Sequence, residues 1–191
     1  MTTKPTDRAA AVRRAMRSVV AEHGFHGASM GAVAREAGVA TGTAYTHYAS
    51  KDDLVLAAYC ETKAEVSRAA TEGLDASGAP GERFQALWLA YHHFLKANPD
   101  HARFLLQVEH SPYRGPAHEA ALAVEDDPLL AEVARPDLMV LLLPLPDEVL
   151  YDLSLGPAVR LAAAGADLAP GQLEEIAAAC WRAVTTTTPA R

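Results

Sequence analysis

The sequence has few cysteines, few aromatic residues and no long uninterrupted hydrophobic run. Its two cysteines, Cys60 and Cys180, lie too far apart for a metal-binding or redox spacing, so we expect no disulfide framework. The apolar stretch at 138–145 is too short to cross a bilayer and contains Pro144. The first residues lack the apolar segment of a signal peptide. These absences predict a cytoplasmic protein that does not enter a membrane.

Charge is unevenly distributed along the chain. The net charge of the 191 residues is −7, a value that disfavours nucleic acid as a partner of the whole surface. Residues 1–51, however, hold seven basic and three acidic residues, a net charge of +4, whereas residues 52–191 hold ten basic and 21 acidic residues, a net charge of −11. Attraction to phosphate is therefore expected to be local to the N-terminal segment.

Alanine is abundant and β-branched residues are not clustered, which favours an all-α fold. Apolar residues recur at helical spacing along most of the chain, and no repeat or strand pattern is visible. A first helix is predicted from about 7 to 23, ended by Gly24. Its Arg13, Arg14 and Arg17 are expected to form a solvated face. The last two long helices are predicted at about 147–165 and 170–184.

The stretch from Phe25 to Leu54 contains two short helical patterns separated by a turn at Gly38. Ser29 is placed to cap the first of these helices, and Thr41 to cap the next, which is predicted over about 42–47. Residues 50–53 have the spacing of a capping box and open a long fourth helix. This arrangement indicates a helix-turn-helix.

The residue types in this stretch suit contact with DNA. Thr41, Gly42 and Thr43 are small, which permits close approach of a helix N-terminus to base edges and phosphates. Tyr45, His47 and Tyr48 offer donors to phosphates, and Lys51 offers a charge. The predicted DNA-binding set is Ser29, Thr41, Gly42, Thr43, Tyr45, His47, Tyr48 and Lys51.

The ordered run from Gly24 to Leu54 resembles the DNA-binding signature of the tetracycline-repressor (TetR) family. The resemblance is carried by Gly24-Phe25, Val33–Val39, Thr41–Thr43 and Ser50–Leu54, with Tyr45 and Tyr48 between them. It extends over about a quarter of the chain. Gly31, Ala32 and Ala44 depart from the residues usual at their positions, which affects the transfer of particular base contacts rather than the motif.

The resemblance implies a three-helix DNA-binding domain with a helix-turn-helix at 1–50 and a helical-bundle effector-binding and dimerisation domain at 51–191. It also implies a homodimer formed through the helices at about 147–165 and 170–184. Such a protein is expected to bind a palindromic operator in double-stranded DNA, most often as a repressor, and to be released by a small-molecule effector.

The aromatic residues of the middle helices are ordinary core residues by pattern alone. The resemblance adds an effector cavity in this region, since apolar pockets with a few polar tips bind small molecules. The candidate lining set is Trp88, Tyr91, Phe104, Gln107 and His110. Nothing in the sequence identifies the effector.

Two other functions remain open from the residues alone. A helical-bundle enzyme or small-molecule-binding protein could use the histidine-rich middle region (His92, His93, His101, His110 and His118). That region lacks an H-E-x-x-H motif and any clean i, i+4 ligand pair, so no metal site is predicted. No catalytic motif, phosphate loop or dinucleotide fingerprint is present, and we expect no enzyme activity and no cofactor. The apolar C-terminal helices could alternatively serve a protein-interaction adaptor.

Overall fold

The computed structural model describes residues 5–186, and the expected all-α fold is confirmed. Extended pairing within this range is limited to one isolated bridge between Leu142 and Thr185. The helices of the described residues are α1 Pro5–Gly27, α2 Met30–Glu36, α3 Thr41–His47, α4 Lys51–Thr71, α5 Pro80–Ala97, α6 Pro99–Glu109, α7 Arg114–Leu122, α8 Pro128–Val133, α9 Pro136–Met139, α10 Asp147–Ser154, α11 Gly156–Ala163 and α12 Gln172–Val184.

The first compact unit comprises residues 1–64 and 100–125. Its N-terminal part packs α1, α2 and α3 against one another around a core that includes Val12, Met16, Val20 and Val33, all fully buried. Helix α1 is interrupted at Gly24, whose φ of 65° lies in the left-handed region, as the predicted helix end requires. Residues 100–125, on α6 and α7, belong to this same unit.

The second compact unit comprises residues 65–99 and 126–191. Helix α5 packs on α11 and α12, and α10 packs on the same two helices. Leu87, Trp88 and Leu95 supply the buried face of α5. The functional domain boundary predicted after residue 50 is a different division from this packing, and it stays a prediction.

The predicted helix at 147–165 is wrong as a single element. It consists of α10 and α11, which meet at Leu155. Pro157 lacks a backbone N–H and its ring crowds the carbonyl one turn earlier, so the hydrogen-bond ladder cannot run through this point. Gly165, with a φ of 63°, follows the end of α11. No helix in the described part of the chain is long and apolar enough to cross a membrane.

Candidate nucleic-acid interface

Ser29 begins the helix-turn-helix as the sequence predicts. Its hydroxyl accepts a hydrogen bond from the Ala32 backbone N–H at 3.1 Å, which makes it the N-cap of α2. Helix α2 buries Met30, Val33 and Ala34. The exposed face of α2 is thereby fixed, and Gly31 lies on it.

The turn between α2 and α3 depends on Gly38. Its φ of 67° lies in the region that L side chains rarely adopt, and a backbone hydrogen bond of 2.9 Å from Val39 to Ala34 closes the turn. Because the turn is short, the start of α3 lies against the end of α2. The predicted stop of the second helix at Gly38 is therefore confirmed.

Helix α3 is held by one small side chain and presents most of the others to solvent. Ala44 is fully buried and is the buried residue of this helix, so the departure from a bulkier residue lets α3 lie close to its neighbours. Thr41, Gly42 and Tyr45 are exposed, and Tyr45 is 52% exposed as a residue. Such a helix is suited to enter a groove.

The N-cap predicted at Thr41 is wrong. Ala40 is the cap residue, with φ −67° and ψ 145°, and it supplies no side-chain hydrogen bond. Thr41 instead occupies the first helical position. The short turn after Gly38 sets the helix start one residue earlier than the cap preference of threonine suggests. The first backbone N–H groups of α3 therefore have no side-chain cap, which leaves this end suited to phosphate.

A concavity of about 330 Å³ adjoins this end of α3. It is lined by Arg8, Ala11, Ala37, Gly38, Val39, Ala40 and Thr43. Arg8 and Thr43 contribute its polar groups, and the rest of the lining is small or apolar. The sequence predicts a DNA contact for Thr43. It does not predict that Thr43 lies close to Arg8, which belongs to the first turns of α1.

Tyr48 is turned toward α1. Its hydroxyl accepts a hydrogen bond of 2.7 Å from Arg13 Nη1 and donates to the Ala9 carbonyl at 3.3 Å. Arg13 Nη2 also pairs with Glu61 Oε1 at 2.6 Å, and this hydrogen bond with Glu61 is the main cause of the raised pKa of Arg13. Tyr48 thus fixes the end of α3 against α1.

The solvated arginine face predicted for α1 is only partly correct. Arg14 is exposed, but Arg13 is half-buried in the pair with Glu61. Arg17 is buried, and its Nη1 donates to Thr62 Oγ1 at 3.1 Å. Both side chains contact α4. The spacing of residues on α1 does not show where α4 lies against it, so this burial could not be predicted from α1 alone.

Lys51 joins the two ends of the helix-turn-helix. Its Nζ donates to the Phe25 carbonyl at 2.6 Å and lies 6.0 Å from the centre of the Phe25 ring. The N-cap half of the predicted capping box next to it forms, because Ser50 Oγ accepts from the Asp53 N–H at 3.1 Å. The Asp53 carboxylate accepts from the Ser50 hydroxyl at 2.8 Å, which replaces the bond to the Ser50 backbone N–H that a full capping box has. An ammonium group has three donors, so two remain for a phosphate. His47, also predicted to contact DNA, is half-exposed at the end of α3.

The predicted effector residues occur in both compact units. Trp88 and Tyr91 are fully buried on α5, and Trp88 Nε1 donates to the Ser154 carbonyl at 2.9 Å. Phe104 is fully buried on α6, whereas Gln107 and His110 are exposed. Their role in effector binding stays a prediction.

The other titratable side chains of the middle region form no metal-binding group within the described residues. His92 is buried and stacks on Trp88, while His93 beside it is exposed. Burial raises the pKa of both cysteine thiols, Cys60 and Cys180, which keeps them in the unreactive protonated form.

A helix-turn-helix that exposes a short helix, within the most basic segment of an acidic chain, defines a DNA-binding transcriptional regulator. The family model described as "Bacterial regulatory proteins, tetR family" matches residues 13–58. A second model, described as "Tetracyclin repressor-like, C-terminal domain", matches residues 81–185. The chain belongs to the TetR family, whose regulators bind DNA and act as dimers.

Three related proteins illustrate this membership. An "Uncharacterized HTH-type transcriptional regulator" of Haemophilus influenzae is 28% identical over 184 residues, which cover 94% of this chain and 96% of the relative. The crystal structure of a TetR-family regulator from the same organism superposes with a TM-score of 0.75 at 26% identity, over 95% of this chain and 98% of that one. A "Fatty acid metabolism regulator protein" of Bacillus subtilis is 28% identical over 91 residues, 48% of this chain and 46% of the relative. The similarity to regulators does not favour a metal-dependent enzyme.

Proposed function

We propose that this regulator is a repressor that binds a palindromic operator as a homodimer and leaves it when a small molecule binds. The observation that carries the DNA-reading part is the presentation of α3. Ala44 packs this helix into the first compact unit, while Thr41, Gly42 and Tyr45 stay exposed on the helix. Two copies of α3 then enter successive major grooves about 34 Å apart, or a multiple of that distance.

Contacts are assigned from the geometry of each side chain. Thr43 lies at the uncapped start of α3 and is proposed to contact a base edge or thymine methyl. Ser29, Tyr45 and His47 are proposed to donate to phosphates, and Lys51 to do so with the donors that Phe25 leaves available. Tyr48 acts indirectly, since its hydroxyl is engaged by α1.

Selection of bound fragments from random DNA by the purified protein tests this proposal. The expected result is a palindromic sequence. With that operator, Thr43→Ala alters discrimination between single-base variants by about 0.5–1.5 kcal/mol at one position of each half-site, the net contribution of one neutral hydrogen bond. Thr46→Ala is the matched control, because Thr46 lies on the same helix and its hydroxyl donates to the Gly42 carbonyl at 2.9 Å. Equal effects of the two substitutions on all sequences remove Thr43 from base recognition.

The phosphate contact of Lys51 is tested by salt dependence. Lys51→Ala is expected to reduce the slope of log affinity against log salt concentration by about 1.8, because the dimer loses one phosphate contact from each subunit and each contact contributes about 0.9. Lys96→Ala, which removes an exposed lysine of α5, leaves the slope unchanged. An unchanged slope for Lys51→Ala means that its ammonium serves only the Phe25 carbonyl.

Dimerisation is proposed through residues 147–165 and 170–184. In support, α10 buries none of its residues within the single chain, and its Val149 and Leu153 keep 36% and 39% of their exposure. Apolar side chains that stay partly exposed within a single chain are suited to contact a partner surface. Light scattering of the purified protein at micromolar concentration measures the mass directly, and a monomer there refutes this interface.

The effector is proposed to be a small molecule with a large apolar part. The buried aromatic residues Trp88, Tyr91 and Phe104 support an apolar ligand, and the relative named as a fatty acid metabolism regulator suggests fatty acids as the first compounds to test. Release of the selected operator, followed by fluorescence anisotropy, is the measurement. Retention of the operator with all of these compounds excludes this ligand class.

A further inference from the structure

Helix α6 lies against the second half of α1 inside the first compact unit. Ser18 Oγ donates to Asp100 Oδ2 at 2.9 Å near the start of α6. The rings of Phe25 and Phe104 lie 6.5 Å apart farther along the two helices. At the break of α1, a Cβ added to Gly24 comes within 3.8 Å of Gln107 Oε1. Helix α6 therefore reaches the point at which α1 ends.

The turn after α6 brings one aromatic side chain to this point. Ser111 organises the turn, since its hydroxyl donates to the Val108 carbonyl at 2.8 Å and accepts from the Tyr113 N–H at 3.1 Å. The Tyr113 ring then lies 4.8 Å from the Phe25 ring, at an angle of 41°. Its hydroxyl donates to Asp52 Oδ1 at 2.6 Å. One side chain thus contacts the end of α1 and the start of α4.

These two places are the anchors of the helix-turn-helix. Helix α1 is broken at Gly24 and ends at Gly27, and the chain then runs through α2 and α3 to α4, which begins at Lys51, next to Asp52. Phe25 is held twice, through its carbonyl by Lys51 Nζ and through its ring by Tyr113. A shift of Tyr113 therefore acts on both anchors of α2 and α3.

We infer that Tyr113 is a positioning residue for DNA binding, which holds Phe25 and Asp52 in the arrangement that sets the direction of α3. The inference rests on the proposal that α3 reads the operator. It also gives α6 a direct route to the DNA-binding helices, because the candidate effector residues Phe104, Gln107 and His110 lie on α6 or directly after it.

The hydrogen bond is available over the physiological pH range. Partial burial, together with the hydrogen bond to Asp52 and its charge, raises the pKa of Tyr113 to about 12. The phenol therefore remains protonated, and a donor, across the physiological pH range, and hydrogen bonds from a hydroxyl to a carboxylate are among the stronger ones.

Three single substitutions test the role of Tyr113 through operator affinity. Tyr113→Phe keeps the ring and removes the hydroxyl, and Asp52→Ala removes the acceptor. Asp52→Asn is the matched control, since it loses the same charge but keeps a carbonyl oxygen at the acceptor position. Tyr113→Phe and Asp52→Ala are each expected to weaken operator binding by roughly three- to tenfold, the net contribution of one ordinary hydrogen bond, since the contact is exposed. Asp52→Asn stays close to the native protein.

Two readouts separate positioning from other roles. The double variant Tyr113→Phe/Asp52→Ala is expected to bind no more weakly than either single variant, because both remove one interaction. The salt slope is expected to stay unchanged, since Tyr113 replaces no counterion on DNA. Additive losses, a reduced slope, or a lower unfolding temperature without any loss of affinity each overturn the inference.

Hydrogen exchange of the free protein gives a measurement that does not require DNA. Tyr113→Phe is expected to speed amide exchange at residues 51–54, whereas Tyr45→Phe, on the exposed face of α3, leaves it unchanged. Unchanged exchange in Tyr113→Phe refutes the positioning role. If the native protein binds no operator but exchange is faster in Tyr113→Phe, the proposed function is contradicted. In that case Tyr113 still holds Phe25 and Asp52 in place.

Discussion

His92 is a buried polar side chain without a hydrogen-bond partner in the described part of the chain, and it carries a sharp prediction. It is 1% exposed, and neither Nδ1 nor Nε2 meets a donor or acceptor there. Its ring lies parallel to the Trp88 indole, at an angle of 3° and a centroid distance of 5.8 Å. The ring thus packs as an aromatic residue while its nitrogens lose their hydration.

Replacing His92 by phenylalanine keeps the stacking and removes both nitrogens. A buried polar group without a partner costs about 1–3 kcal/mol, so the variant is expected to be more stable by a similar amount. For a chain of this length that free energy corresponds to a rise in Tm of roughly 2–12 °C. Thermal unfolding followed by circular dichroism measures it. His93→Phe, the same substitution at the exposed neighbour, is the control and is expected to change stability by less than about 0.5 kcal/mol.

The pH dependence of stability gives a second readout for the same residue. Burial, and then the charges of His93 and Lys96, lower the pKa of His92 below its ordinary value of 6.5. The unfolded chain therefore binds a proton at a higher pH than the folded protein does. Above pH 6.5 the ring is neutral in both the folded and the unfolded state, and stability does not depend on its titration. As the pH falls from 6.5 through the lowered pKa, the unfolded chain takes up the proton first, and the native protein loses stability. The His92→Phe variant lacks this loss, so its advantage over the native protein grows as the pH falls.

A lower Tm for His92→Phe at neutral pH refutes this reasoning. Such a result means that the ring nitrogens bind a buried water or another group that stabilises the native protein. Parallel pH profiles of the native protein and the variant refute the titration argument independently of the Tm.

Two further predictions concern stability. Arg83→Met is expected to destabilise the protein by about 3–5 kcal/mol in chemical unfolding. The guanidinium is 2% exposed and pairs with Glu132 at 2.7 Å, so the substitution leaves the Glu132 carboxylate largely buried without this partner. Arg68→Met, at an exposed position, is the control. Ser29→Ala is expected to cost about 0.5–2 kcal/mol through the lost cap of α2, whereas Thr41→Ala, at a position that caps no helix, changes stability by less than about 0.5 kcal/mol. Equal effects of the last two substitutions contradict the assignment of Ala40 as the cap of α3.

The helix-turn-helix could be predicted well because its signals are local. Gly38 is required by its own φ, and Ser29 caps a helix three residues away. The same holds for Ser50 and Asp53, which bond to each other. Each of these interactions depends on a few adjacent residues, so the order of residue types is enough to predict it.

Interactions between distant segments could not be predicted. The partners of Tyr48 on α1 and of Tyr113 on α4 are far away in sequence, and the SPYRGP segment gives no sign beyond a turn. The prediction of Thr41 as the N-cap of α3 failed for a related reason on a local scale. The Gly38 turn places the start of the helix at Thr41, with Ala40 as the cap, one residue earlier than the N-cap preference of threonine predicts. The directions of helices, rather than their existence, decide these contacts.

The same limitation changes the meaning of the charge asymmetry. The net charge of +4 on residues 1–51 counts Arg13, but its partner Glu61 lies outside that segment and neutralises it. Arg17 is buried, and Lys51 already serves the Phe25 carbonyl. The basic side chains that remain toward solvent, among them Arg14 and Arg35, are therefore fewer than the sequence count suggests. Counterion release scales with the number of phosphates contacted, so one such module gains little non-specific affinity. If α3 reads the operator as proposed, tight binding has to come from two copies of α3 held at a fixed separation, so the positioning of α3 bears directly on that function.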